Sequence, residues 1–136
     1  MVKVLIKKFD PAVKLPEYKT DGASGMDIIA FLKKTINIKS KTSSLIPTGI
    51  SIAFSESYEI QIRPRSGLAA KNNITVLNSP GTIDSDYRGE IKVVIYNHGD
   101  SDFIVNNGDR IAQMVLSPVV KIKLEETNDL PKTIRG

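Results

Sequence analysis

The sequence predicts an all-β protein, an antiparallel β-barrel of jelly-roll type with one short helix near residues 66–71. Three observations carry that reading. Short apolar runs with turn residues between them recur about every 8–12 residues, and there are roughly ten of them, the pattern of a sandwich or closed barrel. No segment sustains a helical period, which argues against βαβ crossovers. A length of 136 residues suits one domain with a real core and is too short for two.

Residues 2–9 open the chain as an edge strand, where Lys3 and Lys7 discourage further pairing. Asp10-Pro11 ends it, and Pro16 keeps Leu15 extended. The turn Asp21-Gly22-Ala23-Ser24-Gly25 feeds a short apolar strand at residues 26–30 that carries Asp27. Strands follow at 35–38, 45–46, 50–54 and 58–63, with Pro47-Thr48-Gly49 as a turn and Pro64 as a stop. Residues 65–71 are the only stretch of helix-favouring composition, halted by Asn72-Asn73. Residues 74–77 and 91–96 read as the arms of a hairpin around residues 81–90. Strands at 102–105, 110–116 and 118–124 complete the set, separated by turns at 97–101 and 106–109. Residues 1–124 form one barrel domain on this reading, and 125–136 a polar C-terminal arm.

Composition narrows the chemistry. Without cysteine, disulfides and thiolate metal sites are excluded, and a reducing, cytoplasmic setting fits. No apolar run approaches the ~18 residues of a membrane span, and the Lys-interrupted N-terminus has no signal-peptide core, so no membrane partner is expected. A net charge of +4 favours an anionic ligand. With aromatics at 6% and dispersed lysines, the basic, stacking surface of a nucleic-acid binder is missing.

A single histidine and no cysteine leave carboxylates as the plausible bases. His98, in a Gly/Asn turn, reads as a solvated surface residue. Asp27, Asp84, Asp86 and Asp109 all adjoin glycine turns. The densest set is Gly81-Thr82-Ile83-Asp84-Ser85-Asp86-Tyr87-Arg88-Gly89-Glu90, which holds more ionisable groups than a turn needs, although a solvated hairpin tip would also look like this. Arg65-Ser66-Gly67 opens the short helix. It can be an anion cradle of amides, hydroxyl and guanidinium, or a plain helix cap. Gly108-Asp109-Arg110 alone is an ordinary turn bordered by a salt bridge.

The combination is more telling than its parts. Ala23-Ser24-Gly25-Met26-Asp27, Pro64-Arg65-Ser66-Gly67-Leu68-Ala69, the segment Gly81 to Glu90, and Gly108-Asp109-Arg110-Ile111-Ala112-Gln113 occur in that order. Together they resemble the first four motifs of the trimeric dUTP diphosphatases, over about residues 23–116. The third is quite specific; the others are modest singly and strong as a set.

The resemblance implies hydrolysis of dUTP to dUMP and pyrophosphate, which keeps uracil out of DNA and supplies dUMP for thymidylate synthesis. It implies that backbone groups at Thr82, Ile83 and Lys92, with the Asn78 amide, read the uracil edge. Fixed donors and acceptors would leave cytosine mismatched, and buried unpaired polar groups are costly. Tyr87 matches the residue packed under the deoxyribose, and Asp84 the one that orients and deprotonates the attacking water at the α-phosphorus. Arg65, Ser66 and Gly67 match the phosphate cradle, and Gln113 a contact to the α-phosphate. Asp27 matches the acid that reaches, through water, a Mg2+ held by the triphosphate, an arrangement suited to a hydrated ion. Asp86, Arg88 and Asp109 are expected to hold turns.

The resemblance also implies a homotrimer with shared sites, the third motif coming from a neighbour of the chain that supplies the first, second and fourth. Ile111, Ala112, Val93 and Ile95 are then candidates for an apolar subunit surface. The chain departs from the pattern in its fifth motif. Ile134-Arg135-Gly136 looks like its start, with Arg135 aimed at the γ-phosphate, and the stacking aromatic is absent, so either the arm is truncated or the site is closed differently. A chain of this form is expected to bind dUTP and turn it over poorly. Two alternatives share the fold: a dCTP deaminase-like or bifunctional enzyme, which Arg65-Ser66-Gly67-Leu68 and Asp84 argue against, and a non-catalytic dUTP-binding module.

Overall fold

The computed structural model describes residues 1–136 as eleven strands and one helix. In chain order these are β1 (Leu5–Lys8), β2 (Met26–Ile29), β3 (Ile36–Ile38), β4 (Ser43–Pro47), β5 (Ile50–Ala53), β6 (Tyr58–Arg63), α1 (Ser66–Asn72), β7 (Ile74–Val76), β8 (Gly81–Ile83), β9 (Lys92–Asn97), β10 (Phe103–Val105) and β11 (Arg110–Pro118). All pairings are antiparallel. The largest sheet has the order β2-β11-β6-β8, a second runs β4-β9-β7, and β1-β5 and β10-β3 pair separately. The expected all-β class with one short helix is what forms.

Alternation in the sequence becomes two faces in space. In β6, Ile60 and Ile62 are buried while Glu59, Gln61 and Arg63 line the other face, joined as a ladder: Arg63 Nη2 donates to Gln61 Oε1 (2.9 Å), and Gln61 Nε2 to Glu59 Oε1 (2.6 Å). The core is aliphatic, nineteen buried residues dominated by Ile and Val from every sheet. At ~25 cal/mol per Å2, burial of such branched side chains is the main force closing the barrel. Of the three buried polar residues, Thr48, Ser51 and Asn97, two have clear side-chain bonds. Asn97 bonds to Ile38, Ser101 and Gly99, and Thr48 Oγ1 donates to the Ile91 carbonyl (2.5 Å). Gly49 makes the β4–β5 turn at φ +71°, a conformation that favours glycine.

Four expectations need correction. The hairpin of residues 74–77 and 91–96 exists, with Val76 opposite Ile95, but its connection is not a simple tip: β8 leaves it and pairs with β6, Ile83 opposite Ile60. The strand at 118–124 does not form. β11 pairs with β6 as far as Pro118 opposite Tyr58, no further strand lies beside the chain, and Val120, Ile122 and Leu124 alternate with lysines in solvent. Ile111, Ala112, Val93 and Ile95 are not a surface; at 2% exposure or less they belong to the core of the single chain. Ser66 is not the helix cap. Arg65 occupies that position with no side-chain cap bond, and Asn73 closes the other end in the left-handed region.

Candidate active site

Candidate residues gather in two groups. The first lines a cleft of about 510 Å3: Asn78, Thr82, Ile83, Asp84, Tyr87 and Lys92. The β8–β6 register builds its wall, placing Gly81 against Ile62 and Ile83 against Ile60, both inward, with Thr82 exposed between them. Gly81 is closely packed, since a Cβ there would lie 3.3 Å from Asn78 Nδ2 and 3.3 Å from Ile62 Cβ. Where β8 ends, the Tyr87 N–H donates to the Asp84 carbonyl (3.1 Å) and closes a turn. The Arg88 guanidinium stiffens it by donating to the Ser85 carbonyl (2.7 Å) and the Tyr87 carbonyl (3.2 Å). One turn thus carries both the Asp84 carboxylate and the Tyr87 ring at the cleft edge. Asp84 is exposed and enters no ion pair, so its oxygens are free acceptors.

Glu90 also lines this cleft, and its Oε2 is buried without a hydrogen-bond partner. From the sequence it reads as scaffolding. Its position between Gly89 and the apolar run of β9 carries no signal that its carboxylate turns inward.

The second group centres on Asp27. On the largest sheet Asp27 stands opposite Gln113, and Gln113 opposite Arg63. Arg65, just past the end of β6, donates from Nε to Asp27 Oδ1 (3.1 Å), and Arg110 Nη1 donates to Asp27 Oδ2 (3.4 Å). Arg65 Nη1 also reaches the Arg110 carbonyl (3.3 Å). The Asp27 side chain is 17% exposed and that of Arg65 26%, so this is a half-buried cluster of two cations about one anion. Its net positive charge suits an anionic ligand. Gln113 Nε2 donates to the Pro64 carbonyl (3.3 Å), and Gly25 exists to admit its other end, since a Cβ there would be 2.9 Å from Gln113 Oε1. Ser66 and Gly67 lie exposed in the first turn of α1, where the leading N–H groups have no acceptor within the helix, and nothing stands within 4 Å of the Cβ position of Gly67.

Arg110 was the residue hardest to foresee. Its sequence neighbour Asp109 suggests a local pair, yet Asp109 Oδ2 instead accepts from the Asn106 N–H (2.8 Å), and Arg110 pairs across 83 positions. Arg135 is exposed, and only its backbone N–H is engaged, donating to Thr133 Oγ1 (3.3 Å). The structure brings it to neither group. His98 is exposed as expected, with its ring edge-on to Tyr96 at 4.4 Å.

No three His, Asp or Glu side chains converge as a metal cage. The one acid of the second group is flanked by guanidinium groups. Such a donor set fits an ion carried by an anionic ligand and met through its waters, and does not fit direct coordination by protein alone.

The chain is thus an antiparallel β-barrel with a carboxylate–tyrosine turn over a cleft and a separate cationic cluster whose charge suits an anionic ligand. The family model described as dUTPase matches residues 12–136. The deoxyuridine 5'-triphosphate nucleotidohydrolase of Rickettsia bellii is 56% identical over all of this chain and 91% of its own length. That of Rickettsia conorii is 53% identical over all of this chain and 93% of its own. The chain belongs to the dUTPase family, as its four ordered motifs indicate. Among solved structures, the Staphylococcus bacteriophage 80alpha dUTPase with dUPNHPP superimposes with a TM-score of 0.87 at 20% identity, covering 98% of this chain and 94% of that one. A mutant dUTPase of phage phi11 of S. aureus, described as revealing coordination of a structural Mg(II) ion, gives 0.85 at 18% identity over 96% and 99%. At these identities the likeness is one of fold.

Proposed function

We propose that the chain hydrolyses dUTP to dUMP and pyrophosphate. The observation that carries this is the single turn that sets an unpaired carboxylate, Asp84, and an aromatic ring, Tyr87, on the rim of one cleft. Backbone at Thr82, Ile83 and Lys92, with the Asn78 amide, reads the uracil edge on the cleft wall. Tyr87 packs beneath the deoxyribose. Asp84 accepts a proton from water and aligns it on the α-phosphorus, a role open to an acceptor without a competing partner. Arg65, Ser66, Gly67 and Gln113 hold the phosphates, where guanidinium and amide donors stabilise the developing charge. Mg2+ carried by the triphosphate would neutralise its oxygens, and Asp27 would be the residue to hold that ion, through its waters. Product dUMP is a precursor for thymidylate synthesis, and loss of dUTP keeps uracil from DNA.

The two groups share neither a hydrogen bond nor a cavity, which supports a homotrimer in which the Asp84 turn of one copy faces the Asp27–Arg65 cluster of another. An apolar groove of about 390 Å3, whose lining includes Ile6, Leu15, Tyr18, Met114 and Leu116, offers surface for such contacts. The barrel closes with β11 at Pro118, and the residues beyond it form an arm that brings Arg135 to the γ-phosphate of a site. A cysteine-free composition supports a cytoplasmic setting.

The test is product analysis with dUTP and Mg2+. Equal amounts of dUMP and pyrophosphate are expected. Release of ammonia from dCTP, or tight dUTP binding without any turnover, would overturn the assignment.

A further inference from the structure

Tyr87 is 47% exposed, so core packing does not set its position. Two local features do. Its Oη donates to the Glu90 carbonyl (3.0 Å), and its ring folds back over Gly89. A Cβ at Gly89 would lie 2.4 Å from Tyr87 Oη, 2.6 Å from Cζ and 3.1 Å from Cε2. Backbone freedom does not explain this glycine, because the left-handed glycines are Gly49, Gly108 and Gly136. Space explains it: only a hydrogen at position 89 lets the ring lie where it does.

We propose that Gly89 is a specificity-determining position that acts through Tyr87. By leaving room for the folded-back ring, it holds the aromatic face at the cleft rim, where a ribose 2′-hydroxyl would collide and a deoxyribose would not. This rests on the reading of Tyr87 as the sugar platform. A methyl at position 89 meets the mobile end of an exposed side chain. The ring swings outward, the Glu90 bond is lost, and the barrel stands. The consequence is a loss of discrimination between sugars with the fold intact.

The experiment measures kcat/KM for dUTP and for UTP on the full chain and on Gly89→Ala, Tyr87→Ala and the double variant, with melting temperature as a check on folding. The dUTP/UTP ratio is expected to fall about tenfold or more in each single variant, and the double variant to be no worse than Tyr87→Ala, since residues acting through one another do not add. If Tyr87→Ala loses discrimination while Gly89→Ala keeps it, the role of Gly89 is wrong and the sugar platform stands. If Tyr87→Ala keeps discrimination, the platform reading itself is wrong. Additive losses in the double variant would show that Gly89 acts elsewhere. Should Gly89→Ala fail to fold, Tyr87→Phe decides, because it keeps the ring and removes only the tether to Glu90. An unchanged ratio there would overturn the positioning role.

Discussion

Replacing Asn97 by Asp should be among the most damaging isosteric changes in this chain. The side chain is 1% exposed and makes three bonds. Its Nδ2 donates to the Ile38 carbonyl and the Ser101 carbonyl, both at 2.9 Å, and its Oδ1 accepts from the Gly99 N–H at 2.9 Å. It therefore ties the end of β9 to β3 and to the turn that follows. Aspartate keeps the shape and the Oδ1 acceptor but turns the double donor into a second acceptor against two carbonyls. Loss of both donated bonds removes about 2 kcal/mol, and two unsatisfied carbonyls with a buried charge add at least that again. The expected loss is about 4 kcal/mol, a large share of the ~5–15 kcal/mol that holds a domain folded. Burial disfavours the ionised form, so the Asp carboxyl should ionise at higher pH in the folded chain than in the unfolded one. Such a group costs stability as pH rises, and the variant should recover part of its loss between neutral pH and about pH 4. Urea denaturation of wild type, Asn97→Asp and Asn97→Ala at both pH values measures this. An unfolding free energy for Asn97→Asp within about 0.5 kcal/mol of wild type at neutral pH would refute the reasoning.

Other changes test other parts of the account. Gly25→Ala should cost about 1–3 kcal/mol and shift Gln113, because its Cβ would meet the Met114 carbonyl at 3.0 Å, which cannot swing away as a side chain could; thermal melting reads the loss. Thr48→Val should lower stability by about 1–3 kcal/mol in urea denaturation by stranding the buried Ile91 carbonyl. Asp27→Asn leaves two guanidinium groups facing each other. It should destabilise by about 1–2 kcal/mol, the exposed Arg110 contributing little, and isothermal titration should show weaker dUTP binding with a reduced effect of added Mg2+. Mixing Asp84→Asn chains with Asp27→Asn chains, each weak alone, should restore activity if the site is shared between copies; no gain after refolding them together would argue for a site within one chain.

What the sequence reveals and conceals follows from how local each signal is. Strands such as residues 58–63 and 110–116 were legible because alternation in the first, a mostly apolar run in the second, and flanking Pro or Gly are properties of the segment itself. The short helix was legible too, to within a residue or two. The escape of β8 from its hairpin was not. Gly81-Thr82-Ile83 pairs with β6, some twenty residues earlier, and nothing local distinguishes that partner from β7 or β9. Alternation misled at residues 118–124, where apolar residues alternate with lysines and the single chain offers nothing to cover them. For the candidate site, the four ordered motifs single out Asp27, Arg65, Asp84, Tyr87 and Gln113, which the structure places in two separate groups. They did not disclose the ion pairing of Arg110 with Asp27, the inward turn of Glu90, or the packing of Tyr87 on Gly89. Each depends on a side-chain direction that the fold sets.

The central claim, that Asp84 activates the water that attacks dUTP, is tested most directly by the initial rate of pyrophosphate release from dUTP with Mg2+ in wild type and Asp84→Asn. The substitution preserves size, and Asp84 is exposed and free of ion pairs, so the fold should be unaffected. Loss of a general base predicts a kcat lower by ~10²–10⁴-fold with dUTP binding retained. An unchanged kcat in Asp84→Asn would contradict the account.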